Sequence, residues 1–262
     1  MKREPSFFLV MLAAILSTAT VSAQQSVNDA NPLYRATSIR TGTIILPPIP
    51  DEPFSATALI QDRQVLSDGS VSVTRNVNLI CRDSQGRTHG EMRPRMPDSD
   101  RGMPPLSEVH IYDPQTGVKT TYTIASHVAT RQIQFRHIQT DNTAITASPG
   151  VEVEDLGSKI IDDIEARGTR RTVLVPAAIG GTGVPMKVFD EFWYSEQLHV
   201  NLLLIHNDPR LGVHMVSLTN IKREEPDPSF FEVPEGYKIV DVTPTEDSPA
   251  GRVLERAGRP TP

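Results

Sequence analysis

The stretch FSATALIQDRQVLSDGSVSVTRNVNLICRD, residues 54–83, constrains the fold more than any other part of the chain. Two alternating runs flank Asp68-Gly69, a dipeptide that favours a two-residue type I′ hairpin loop. Such a loop pairs Ser67 with Ser70 and Leu66 with Val71, and that register fixes which side chains share a face. One face then carries Ala56, Ala58, Ile60 and Leu66 with Val71, Val73, Val77, Leu79 and Cys81. The other carries Thr57, Gln61 and Arg63 with Ser72, Thr74, Asn76 and Asn78. A hairpin patterned in this way is expected to be apolar on one side and wet on the other. The same register sets Asp62 opposite Arg75 within the apolar face. That pair reads either as a cross-strand ion pair, contributing about 0.2–1 kcal/mol, or as a charged pair at the mouth of a cavity.

The rest of the chain repeats this pattern. Short alternating runs recur at EVHIYDP, VKTTYTI, HVATRQIQF, KIIDDIEARGTRRTVLV, PMKVFDEFWYS, LHVNLLLIH and VHMVSLTNIKRE, separated by turn residues. Almost no segment shows a helical period. Consecutive antiparallel strands with tight turns predict a mainly β domain over residues 54–242, a curved antiparallel sheet or half β-barrel with few short helices. Within PDPSFFEVPEGYKIVD, residues 226–241, Asp227 suits a helix N-cap and Pro228 the first helical position. One helical turn there swings Phe230 and Phe231 inward. Pro234 then holds Val233 extended, and residues 237–242 return as a last strand.

The ends read differently. Lys2 and Arg3, an apolar run from Phe7 to Leu16 and the small-residue stretch Ser17 to Ala23 have the form of a cleaved secretory leader over residues 1–23. The apolar run is well short of the roughly 20 residues that span a bilayer, so an exported chain of the periplasm or exterior is expected, without a transmembrane anchor. Residues 24–53 read as an arm or linker, with one strand at Ser38 to Leu46, and residues 243–262 as a disordered tail. The net charge is −6, and one unit more negative without Lys2, Arg3 and Glu4, which makes the chain a poor partner for nucleic acid, whose phosphates need a basic stripe. A single cysteine, Cys81, leaves no internal disulfide, so stability has to come from a core. On the apolar face, Cys81 reads as a buried structural thiol rather than a nucleophile.

The motifs PFSATALI…SDGS, CRDSQGRTHGE, HIYDPQTGVKTTYTI, EFWYSEQLHVNLLLIHNDPRLG and LTNIKREEPDPSFFEVPEGYKIVD, in this order, resemble those of the lipoprotein-carrier (LolA-like) superfamily of exported bacterial proteins, and the C-terminal half looks closest to its uncharacterised secreted branch. The resemblance implies a strongly curved sheet whose concave face can hold an acyl chain or another apolar group; it does not imply an enzyme or any cofactor.

Candidate ligand contacts are Ile60, Asp62, Arg75, Val77 and Leu79 on the face, and Met92, Met96 and Met103 in the loop MRPRMPDSDRGMPP. That loop, with four prolines and three arginines, reads as a stiffened connection, as a lid whose thioethers adapt to a guest, or as a soft-metal site. His206 and His214 flank one turn. If residues 207–212 form the loop, His206 faces Val213 and His214 points to the other side, so no shared metal is expected. No catalytic string such as G-x-S-x-G or H-E-x-x-H is present. The leading expectation is an exported binding protein for an apolar or lipid-like ligand. The alternatives are an envelope interaction or sensory module with a filled core, docking a protein partner, and a hydrolase of unknown type.

Overall fold

A computed structural model describes residues 46–100, 102–133, 150–181 and 183–244. The leader over 1–23, the strand expected at Ser38 to Leu46 except for Leu46 itself, and nearly all of the tail lie outside the described residues.

The molecule is mainly β, an open and curved sheet in which thirteen strands are found among the described residues. In chain order they are β1 (Phe54–Val65), β2 (Val71–Arg82), β3 (Thr88–Met92), β4 (Met96–Pro97), β5 (Glu108–Asp113), β6 (Val118–Thr123), β7 (Val128–Ile133), β8 (Val151–Ile161), β9 (Ile164–Val175), β10 (Met186–Ser195), β11 (Val200–Asp208), β12 (Gly212–Lys222) and β13 (Lys238–Asp241). The spatial order is β13-β7-β6-β5-β3-β2-β1-β12-β11-β10-β9-β8, with β4 added beside β2. Every pairing is antiparallel except β13, which lies parallel to β7. Among the described residues one short helix, α1 (Ala177–Gly180), and one 3-10 turn at Pro228–Phe231 interrupt the strands.

The first hairpin does not take the expected register. Val65 pairs with Val71, and the pairing runs outward as Gln61 with Arg75, Ile60 with Asn76 and Leu59 with Val77. The loop holds three residues: the N–H of Gly69 donates to the Leu66 carbonyl, and that of Leu66 to the Ser70 carbonyl. Asp68 captures the Ser70 N–H at 2.9 Å and its hydroxyl at 2.6 Å. Gly69, at φ 82°, supplies the left-handed residue that a turn-plus-bulge loop needs. This shift of one residue sends Ile60 and Val77 to opposite faces. It also separates Asp62 from Arg75, correcting the predicted pair: Asp62 faces Thr74.

The two-residue loop occurs elsewhere. KIIDDIEARGTRRTVLV is the end of β8 and all of β9, folded at Asp162-Asp163, whose φ values of 49° and 62° mark a type I′ turn.

Two cores result, on opposite faces of β2. Phe54, Ala56, Ala58 and Ile60 of β1 pack with Ile80, Phe192, Leu204, Val216 and Leu218 in the larger one. Cys81 joins Val109, Ile111, Tyr122, Ala129 and Phe231 in the second. Phe54 and Ile60 are fully buried, each worth about 1.5–3 kcal/mol. The larger core also takes in Leu46, so the packed chain begins ahead of Phe54. Asn76 and Asn78 of β2, turned inward by the register, are matched by the chain after β3. Asn78 Oδ1 accepts from the Arg93 N–H at 3.0 Å, and Asn76 Nδ2 donates to the Arg93 carbonyl at 3.3 Å.

The C-terminal closure follows the sequence. The Asp227 side chain accepts from the Ser229 N–H at 2.9 Å, with Pro228 opening the turn. Phe231 is buried and Phe230 half-buried against His89, ring centroids 5.2 Å apart. His89 Nδ1–H donates to the Phe230 carbonyl at 2.6 Å.

Candidate functional site

Alternation from the observed register places the predicted contacts on two different surfaces. Ile60 is sealed in the larger core. Val77 and Leu79 are half-buried on the reverse face of β2, in line with Cys81 and hence with the phenylalanine closure. Val77 faces Leu59 there, and the row continues through the small polar Ser217 to Leu203, which also packs against the larger core. One step along the strands, Met215 faces Ile205. Leu59, Leu203, Ile205 and Met215 are all half-buried. Sequence alternation alone shows these residues, but only the true register groups them with Val77.

Arg75 belongs to that face by alternation, opposite Gln61. It is bound by the loop after β3: Nη2 donates to the carbonyls of Asp100 at 2.7 Å and Gly102 at 3.1 Å, and Nε lies 3.6 Å from Asp98. Arg93 adds an ion pair to Glu91 at 2.8 Å and a bond to the Pro104 carbonyl at 3.0 Å. The segment is therefore a strap tied at many points. Its methionines do not converge. Met92 ends β3, Met96 pairs beside Arg75 in β4, and Met103 stands 68% exposed.

Asp62 lies on the core-side face at its rim, in a polar row that sequence reading missed. Across four adjacent strands the register aligns Asp62 with His214, His214 with His206, and His206 with Asp190. The expected six-residue loop is shorter: Asp208 pairs with Gly212, and so the two histidines face each other. Asp208 holds Arg210 in the turn, at 2.6 and 2.9 Å, and the loop keeps only the three residues Pro209, Arg210 and Leu211. His214 Nδ1 lies 2.6 Å from Asp62 Oδ1, and His206 Nδ1 lies 2.7 Å from Asp190 Oδ1. Arg95 of the strap reaches Asp62 Oδ2 at 2.8 Å. The hydrogen bond to Asp190 raises the His206 pKa above its ordinary value, against the opposing effect of burial. Beneath the row, two residues along each strand, lie Ile60, Val216, Leu204 and Phe192 of the core.

Cys81 is fully buried, and desolvation, with Asp83 and Glu91 nearby, pushes its thiol up to about 12; it is inert packing. A shallow recess of about 360 Å³ lies at the other end of the sheet, lined by Val151, Thr172, Leu174 and Lys187 among others. No described helix is long and apolar enough to cross a membrane.

No family model matches the chain, and no curated protein matches it by sequence. Among solved structures it is similar to an uncharacterized conserved protein from Thermus thermophilus, at 10% identity and a TM-score of 0.37 over 84% of this chain and 99% of that one. A chain of the Pseudomonas aeruginosa MucA/MucB complex aligns at 10% identity and TM-score 0.36, covering 73% of this chain and only 59% of its own. A LolA superfamily protein from Nitrosomonas europaea aligns at 13% identity and TM-score 0.29, over 81% and 98% of the two chains.

Proposed function

We propose that this is an exported, non-enzymatic binding protein that shelters a lipid-like or otherwise apolar chain. The guest lies on the face of β2, β1, β12 and β11 that carries Val77, Leu79, Leu59, Leu203, Ile205 and Met215. One observation carries this reading: the apolar band is only half-buried over these strands and runs, along β2, into the part of the same face that Phe231 covers. An apolar strip left partly open beside a covered one suits a linear hydrophobic guest, since burial is worth about 25 cal/mol per Å² and requires no directional partners.

The mature protein purified from an envelope fraction should carry bound mass by native mass spectrometry and should quench or shift a fluorescent fatty-acid probe. Leu59→Asp should weaken the probe at least tenfold while the circular dichroism spectrum stays that of the parent. Protein that is consistently empty and indifferent to the probe overturns the proposal.

A second reading, docking of an envelope protein partner, draws on the hairpin tips. Val65, Leu66, Val71 and Leu211 are 61%, 42%, 46% and 66% exposed at turns of β1–β2 and β11–β12. Crosslinking in the intact envelope separates the two, because a tip-docked partner is lost on Leu66→Asp and unaffected by Leu59→Asp.

A further inference from the structure

We infer that His206 and His214 form a binding site for one imidazole-preferring divalent metal ion, Zn²⁺, Ni²⁺ or Cu²⁺, at the rim of the larger core. The two histidines are direct cross-strand partners, and such partners have Cα atoms roughly 4.5–5.5 Å apart with side chains on one face. Each ring is oriented by its own carboxylate, Asp62 for His214 and Asp190 for His206.

The carboxylates lie on the outer strands β1 and β10, so both Nδ1–H groups point away from the midline between β11 and β12. In a five-membered ring the other nitrogen points to the opposite side, which turns both Nε2 lone pairs inward and upward toward one point. A carboxylate on Nδ1–H also fixes the tautomer that leaves Nε2 free and makes it more basic, the arrangement that surrounds imidazole ligands in metal centres. Among the described residues no bond engages either Nε2, and the side chains are 42% and 24% exposed. The ion enters from solution.

Among the described residues no group of three or more His, Cys, Asp or Glu is placed to hold a metal. The site therefore supplies two nitrogen donors, with water completing the shell, and takes metals in the order of their preference for imidazole, Cu²⁺ ahead of Ni²⁺ and Zn²⁺. The facing charges are Arg95 on Asp62, Arg171 opposite Asp190 in β9, and Asp208, which also acts on His206. The two outer carboxylates offset the cation's charge. Binding competes with protonation, because only a neutral imidazole ligates a metal.

Isothermal titration of chelator-stripped mature protein with ZnCl₂ and NiCl₂ at pH 7.5 should give one ion per chain. Electron paramagnetic resonance of the Cu²⁺ form should show hyperfine coupling to two nitrogens. His206→Gln and His214→Gln should each weaken binding more than tenfold, and Asp190→Asn about 10–100-fold, with unchanged circular dichroism. Stoichiometric binding that survives in the double His206→Gln/His214→Gln variant, or no binding at millimolar metal, overturns the site, as does a copper spectrum with fewer than two nitrogen ligands.

Discussion

Arg82 heads the fully buried side chains by volume, and three carbonyls account for its position. Its guanidinium donates to Glu52 at 2.9 Å, Pro47 at 3.0 Å and Leu198 at 2.8 Å, with the Glu52 carboxylate at 3.3 Å. Desolvation lowers its pKa to about 10, opposed by Glu52, so it stays charged at neutral pH. It ties the chain entering β1 to the turn between β10 and β11. Arg82→Met should therefore lower stability by at least about 3 kcal/mol in urea denaturation, because buried acceptors left unpaired cost about 1–3 kcal/mol each. A loss below 1 kcal/mol would show that water takes over those carbonyls. Gly168 is constrained by space: a Cβ there would lie 2.7 Å from the Trp193 ring and 2.9 Å from Leu156 Cβ. Trp193 is itself pinned by its Nε1–H on Glu191 at 2.6 Å and by Lys159 over its face at 3.6 Å. Gly168→Ala should destabilise by about 1–3 kcal/mol, as overpacking does, with a matching change in tryptophan fluorescence.

Among the elements, the C-terminal closure was the most legible in sequence. An N-cap, a proline and two aromatic rings are local signals, and the turn at Pro228–Phe231 follows from them. The partner of that turn was not legible, since His89 lies far away in the chain and meets the Phe230 carbonyl only in three dimensions. The burial of His89 under this closure sets a pH dependence. Burial lowers the His89 pKa, outweighing the Phe230 carbonyl, and His110 is lowered too, by burial and then Lys119. A histidine held neutral in the fold contributes stability that is fully present above its unfolded value, about 6.5, and is lost as pH falls below it. His206, raised by Asp190, acts in the opposite sense, its contribution being present at low pH and lost as pH rises through its folded value. The melting temperature should fall between pH 6.5 and 5, and His89→Asn should flatten that slope. An unchanged slope in the variant would place the acid sensitivity elsewhere. The hairpin registers show the converse case. Asp68-Gly69 reads as a two-residue loop, yet the Asp68 carboxylate takes the Ser70 N–H and lengthens it, whereas the I′ turn forms at Asp162-Asp163, inside a run that reads as one strand.

For the molecule as a whole, the proposed guest and the proposed ion occupy opposite faces of the same strands, so their tests are independent. Leu59→Asp should remove fatty-acid binding and leave Zn²⁺ titration unchanged, and His206→Gln should do the reverse; loss of both in either variant would indicate a damaged sheet rather than a damaged site. The sequence by itself determined that the chain is β-rich, where most strands lie, that two aromatic rings close the end, and that Cys81 is packing. These follow from period-two patterning and local turn chemistry, which act over a few residues. Only the tertiary structure decided which face each side chain takes, because a side chain's face depends on register, and register turned on single side-chain bonds in the loops, Asp68 to Ser70 and Asp208 to Arg210. One residue of slip in each case moved Val77 away from Ile60 and brought His206 opposite His214, which is why the architecture could be read from the chain and its surfaces could not.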